Sequence, residues 1–144
     1  MTVASSSVIS LGCDAGGPET AFIGTLKVPL AHAFAQHVSS THCAEIDEYA
    51  LVLRVDGSIA KFGNEGLERL RLSRTKRYIA VDILIPEAVW QAKTEQELKS
   101  YLARQVTAAI SACCARLKKE KWAVSEHKLM AQVQAATHDY LARK

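Results

Sequence analysis

The sequence predicts an α+β fold: a small antiparallel sheet, built from a hairpin plus a central strand, packed against a long amphipathic helix and further helices. Three observations carry this expectation. Asp56-Gly57 separates two β-prone runs, 49–55 and 58–62, and this dipeptide suits a two-residue type I′ turn, where both central positions need positive φ. A third apolar run, 78–85, alternates regularly and stops at Pro86. From Thr94 onward apolar residues recur every three or four positions as far as Lys119.

The elements follow in order. Residues 1–27 are rich in Ser, Thr and Gly and contain the loop signal Asp14-Ala-Gly-Gly-Pro18, so they read as a loop-rich segment with a short strand at Val8–Cys13. Pro29 suits a first helical position and precedes apolar residues at 30, 34 and 38, which predicts one short helix. In the hairpin, Val55 against Ser58 sets Leu53 opposite Ala60 and Leu51 opposite Phe62, on one core face with Tyr49. Val52, Arg54, Ile59 and Lys61 form the other, partly exposed face. A basic stretch, 69–77, reads as a solvated loop and strand entry. It leads into the central strand 78–85, where Ile79, Val81, Ile83 and Ile85 share one face and Ala80, Asp82 and Leu84 the other. Thr94-Glu-Gln-Glu97 is a capping box that opens the long helix, and a second helix begins near Ser125 with Leu129, Val133 and Ala136 on one face. The alternative architecture is a mixed sheet in which the N-terminal strand pairs at an edge.

The 144 residues, 49% hydrophobic and 23% charged, fit a single domain spanning 1–144 that needs neither disulfide nor structural metal to fold. No apolar stretch approaches the roughly 20 residues of a membrane span. The N-terminus lacks a basic residue before Lys27 and a sustained apolar core, so it is read as mature chain in a reducing cytoplasm, with Cys13, Cys43, Cys113 and Cys114 as thiols. Charge is uneven: residues 1–64 hold three basic and six acidic side chains, and residues 65–144 hold fifteen and nine. Such asymmetry suits a charged macromolecular partner.

Motifs for chemistry are sparse. His32, His37, His42 and Cys43 resemble a metal cluster at first sight, yet histidines five apart on a helix are rotated by about 140° at each step. No second Cys/His pair completes a closed set of four ligands, so no metal is expected. There is no nucleophile elbow, no glycine-rich phosphate motif and no expected cofactor. Cys43 and Asp82 are the residues an enzyme would use, with Asp82 expected to face solvent. Arg69, Arg71, Arg74, Lys76 and Arg77 are the candidate for phosphate contact, with only Tyr78 nearby to stack a base. The group Glu45, Asp47 and Glu48, with Asp56, is the candidate for a basic protein partner.

The order Glu48-Tyr49 through Asp56-Gly57 to Phe62, then Glu65-Gly-Leu67 with Arg69-Leu70, then Arg77-Tyr-Ile-Ala-Val-Asp-Ile83, Ile85-Pro86 and Val89-Trp90, resembles a family of bacterial immunity proteins. Glu97-Leu98, Tyr101-Leu102 and Ala115-Arg-Leu-Lys-Lys119 extend the similarity, which spans residues 48–122. Members accompany polymorphic toxins, including those of contact-dependent growth inhibition. The resemblance implies a cytoplasmic, non-enzymatic inhibitor that binds a delivered toxin domain, commonly a nuclease, and blocks its active site or a neighbouring surface. In that setting Glu45, Asp47, Glu48 and Asp56 would mimic phosphate and speed association with a basic toxin. A nucleic-acid-binding module using residues 69–77 is the alternative.

Overall fold

A computed structural model of the protein describes residues 9–15, 21–56, 66–86 and 94–143. The elements are β1 (Ile9–Ala15), α1 (Ala21–His37), a 3-10 turn (Ser40–His42), β2 (Glu48–Asp56), β3 (Gly66–Ser73), β4 (Tyr78–Pro86), α2 (Glu95–Lys119) and α3 (Glu126–Ala142). The α+β class holds. The sheet, however, is mixed rather than antiparallel: its order is β1-β2-β4-β3, with β1, β2 and β4 parallel and β3 antiparallel to β4. The N-terminal strand lies at an edge, as in the second of the two architectures the sequence allowed.

The hairpin reading fails at β2, whose two sides are already occupied. Leu53 sits between Cys13 and Ile83, and Leu51 between Leu11 and Val81, so neither can face position 60 or 62. Gly57–Phe62 lie outside the described residues. The physical reason is burial. Tyr49, Leu51 and Leu53 are fully buried, and a parallel strand covered on both sides gains more from two neighbours than from one local turn. The hairpin of this sheet is β3–β4, closed by residues 74–77, with Arg77 in the left-handed region at φ 57°. Residues 69–73 of the basic stretch, expected as a solvated loop and strand entry, therefore belong to the edge strand β3.

Helix α1 begins eight residues before Pro29, so the proline lies inside the helix and not at its start. An interior proline removes one backbone donor and costs about 3 kcal/mol. Leu26, Leu30 and Phe34, with Val38 just past the end, are nearly or fully buried and offset this at about 1.5–3 kcal/mol each. The loop-rich reading of 1–27 is corrected accordingly: seven of these residues form β1 and the start of α1 is at Ala21.

The C-terminal half follows its local signals closely. Glu97 N–H donates to Thr94 Oγ1 at 3.2 Å, and Thr94 N–H donates to Glu97 Oε1 at 3.0 Å, closing the capping box. Leu98, Leu102, Val106, Ala109, Ile110, Cys113 and Leu117 are all fully buried along one stripe of α2. Ser125 caps α3 by accepting from Lys128 N–H, and Leu129, Val133, Ala136 and Tyr140 form its buried face. Helix α1 packs on β1, α2 packs on β2, β3 and β4, and α3 rests on α1 and α2. One apolar cluster joins these helices to Ile9 and Leu11 of β1, Tyr49, Leu51 and Leu53 of β2, and Ile79, Val81, Ile83 and Ile85 of β4.

Strand β4 is buried on both faces. Asp82, expected to face solvent, is 3% exposed, and its carboxylate lies 3.5 Å from the Arg54 Nε. The reason is position: β4 is flanked by β2 and β3, and Arg54 lies on the same face as Asp82, one residue pair along. Among the described residues no helix is long and apolar enough to cross a membrane.

Candidate partner-binding surface

The acidic and basic candidates meet at the amino ends of β2 and β4. The left-handed turn residue Arg77 points its carbonyl at the chain entering β2 and accepts from Asp47 N–H at 2.7 Å and Glu48 N–H at 3.3 Å. Its guanidinium donates to the Ala44 carbonyl at 3.0 Å and pairs with the Asp47 carboxylate at 3.1 Å. Both side chains of that pair are about half exposed or more, so it contributes on the order of 0–1 kcal/mol. The backbone bonds fix its register.

Glu45 reaches in the other direction. Its Oε1 accepts from Ala123 N–H at 3.0 Å, joining this corner to the loop between α2 and α3. In the same loop Trp122 is 5% exposed, and the Arg74 guanidinium lies over its ring at 5.0 Å while donating to the Glu120 carbonyl. Lys118 and Glu126 pair at 2.8 Å across the loop, a bond that raises the lysine above its ordinary pKa. The result is an exposed ridge of mixed charge with an arginine stacked on a buried indole at its centre.

Three of the four acidic candidates, Glu45, Asp47 and Glu48, gather on this ridge. Asp56 does not: it closes β2 at the opposite end, eight residues beyond Glu48, or about 26 Å at strand rise. Of the basic candidates, Arg71, Arg74, Lys76 and Arg77 are exposed, but Arg74 and Arg77 are engaged by the protein's own groups. Sequence spacing missed the Arg74–Trp122 stack altogether. Its members are 48 positions apart, and the one available signal was a tryptophan inside a basic loop.

The residues nominated for enzyme chemistry, Cys43 and Asp82, are buried. His42 is 2% exposed. Its Nδ1 lies 2.6 Å from the Ser39 carbonyl and therefore carries the hydrogen, which leaves Nε2 to accept from Tyr49 O–H at 2.8 Å. Its own carbonyl accepts from Ser125 N–H at 2.7 Å, tying the 3-10 turn to the start of α3. Burial holds the His42 imidazole below its usual pKa, against the opposing effects of the Ser39 and Gln132 hydrogen bonds. Cys43, Cys113 and Cys114 are buried free thiols, and burial pushes Cys113 up to about 12, where it has no nucleophilic character at neutral pH.

The three N-terminal histidines diverge. His32 is exposed, His37 meets Asp139 of α3 at 3.0 Å, and His42 enters the core. Among the described residues no group of three or more His, Cys, Asp or Glu side chains is placed to hold a metal ion. A largely apolar groove of about 720 Å³ runs between α2 and α3, lined by Thr107, Ala108, Ser111, Met130 and Val133 among others. No protein-family model matches the chain, and no curated protein or solved structure matches it either.

Proposed function

We propose that this chain is an immunity protein that binds a cognate bacterial toxin domain, a nuclease being the favoured class, and neutralises it in a tight stoichiometric complex. One observation carries the reading. The segments that resemble bacterial immunity proteins are scattered over residues 48–122, and the described ones form a contiguous unit in which β2 pairs with β4, β4 with β3, and α2 covers all three. The mixed-charge ridge at the amino end of that unit is the surface we assign to the toxin. Glu45, Asp47 and Glu48 supply the charge that a basic nuclease would meet, and Asp56 stands outside the surface.

Protection against a toxin that acts at few copies requires nanomolar affinity, or about −12 kcal/mol. Rim charges of this kind mainly accelerate encounter, while a few buried anchors supply affinity. The test is to express the toxin domain encoded beside this chain with and without it, and to ask for rescue of growth and co-purification. Rescue with a stable complex is expected. With a toxin shown to be active, loss of both outcomes refutes the reading. A Glu45→Gln, Asp47→Asn, Glu48→Gln variant should slow association and flatten its salt dependence; unchanged rates would remove the ridge from the interface.

The nucleic-acid reading has less support: Arg74 and Arg77 are held by Trp122, Glu120, Ala44 and Asp47 much as Glu45 is held by Ala123, but of aromatic residues able to stack a base only Tyr78 lies beside the basic stretch in sequence. Binding to duplex that falls steeply with salt would reverse this preference.

A further inference from the structure

We propose that Arg74 anchors the toxin on this ridge by receiving a carboxylate side chain of the toxin domain; the inference rests on the immunity reading and names a contact within it. Two turns meet at this corner, residues 74–77 of the β3–β4 hairpin and residues 120–121 after α2. Trp122, next to the second turn, is 5% exposed, and the Arg74 guanidinium lies over its ring at 5.0 Å. The indole Nε1 is buried and makes no hydrogen bond, so the ring face is what this tryptophan offers its neighbours. An arginine on a free stem loses rotamer freedom when a partner orders it, and that loss weakens binding. Here the stack and a hydrogen bond hold the guanidinium in place beforehand.

The donors left over are those a carboxylate needs. A guanidinium has two forks, Nε with Nη2 and Nη1 with Nη2. Among the described residues, the one hydrogen bond of this group runs from Nη2 to the Glu120 carbonyl. That bond uses one of two Nη2 hydrogens and leaves one fork whole, ready for two parallel bonds to a carboxylate. Charge points the same way. Arg77 already has a carboxylate in Asp47, whereas the acceptor of Arg74 is a neutral carbonyl. Arg74 is exposed, and so are Lys76 and Lys121 in the same two turns, which adds to the positive potential. A nucleic-acid strand would carry its repeated charge past Glu45 and Asp47 on the same ridge, while a single carboxylate brings one charge to one point. Arginine and tryptophan are also the residue types that dominate binding energy at the centres of interfaces.

The experiment measures affinity of the full chain for the toxin domain by calorimetry, for the parent, Arg74→Lys and Arg74→Gln, with circular dichroism to verify folding. Arg74→Lys keeps the charge but loses the fork and the flat stack, and should weaken binding about thirtyfold. Toxin carboxylates are then replaced singly by amides. One such change should weaken binding to the parent by a similar factor and leave binding to Arg74→Gln almost unchanged; a purely structural stack would couple to no toxin residue. Arg74→Lys binding as tightly as the parent, or the absence of a coupled carboxylate, overturns the proposal and leaves the immunity reading standing. A parent that forms no complex with an active toxin refutes the immunity reading, and the partner named here with it. Duplex bound by the parent and lost in Arg74→Gln would assign the fork to phosphate and overturn the carboxylate.

Discussion

Acidification should loosen this fold through one side chain, His42. The folded protein keeps its imidazole neutral, between the Ser39 carbonyl and the Tyr49 hydroxyl, and burial lowers its pKa below the unfolded value near 6.5. The unfolded chain therefore binds the proton more readily than the native one. Stability attributable to His42 is fully present above about pH 6.5 and is lost as pH falls from there toward the lowered native value. Within that window the slope is at most about 1.4 kcal/mol per pH unit, so a step from pH 6.5 to 5.5 should cost a measurable amount, with about 1 kcal/mol as its upper limit. The groups facing His42 are Tyr49 from β2, Lys128 and Gln132 from α3, and the Ser39 carbonyl; of these the Lys128 charge adds to the lowering, while the Ser39 and Gln132 hydrogen bonds oppose it. The assay is urea unfolding at several pH values for the parent and for His42→Gln. The variant should be less stable at pH 7.5, and its stability should fall less steeply below pH 6.5. Parallel pH profiles for the two proteins would refute the argument, because the slope would then belong to other groups.

Other expectations concern single contacts. Thr94→Ala removes the capping box of α2 and should lower stability by about 1 kcal/mol in chemical denaturation. Asp82→Ala leaves the Arg54 guanidinium without a partner it has in the folded sheet and should cost about 1–3 kcal/mol, whereas a solvent-facing aspartate would cost almost nothing. Tyr140→Phe deletes the hydroxyl that donates to the Leu26 carbonyl at 3.2 Å and should reduce the thermal midpoint by the equivalent of about 1 kcal/mol, with the packing of the ring retained.

How much was legible in the sequence depended on whether a signal was local. The α2 capping box and its apolar stripe act within one turn of helix, and both were readable. Strand β4 announced itself by alternation and by Pro86. Strand β3 was concealed by its bulge: Leu67 pairs with Ile83 and Leu72 with Ile79, on one face though five residues apart, so the two-residue period is broken and the arginines dominate the reading. Helix α1 was shortened because Pro29 is a strong local signal, while the burial that overrides it is tertiary. Pairing of β1 with β2, and of β2 with β4, depends on contacts between residues 30 or more apart, which propensity and turn chemistry do not encode. The ridge was half legible. Its acidic and basic residues were nominated separately, as surfaces for opposite partners, and Arg77 brings them together across 30 positions.

The Tyr140–Leu26 hydrogen bond spans 114 positions, and its consequence is a matter of timing. Helix α1 is made early in synthesis, yet the helix it leans on, α3, is made a hundred residues later. Until α3 has cleared the ribosome, Leu26, Leu30 and Phe34 lack part of their cover. The β3–β4 hairpin and the α2 helix can assemble in the interval from neighbours already present, but the first helix must wait for its partner. A ribosome stalled before Glu126 would thus present a nascent chain with its α1 apolar face open to chaperones. Slowing translation of α3 should lengthen that exposure without altering the finished fold.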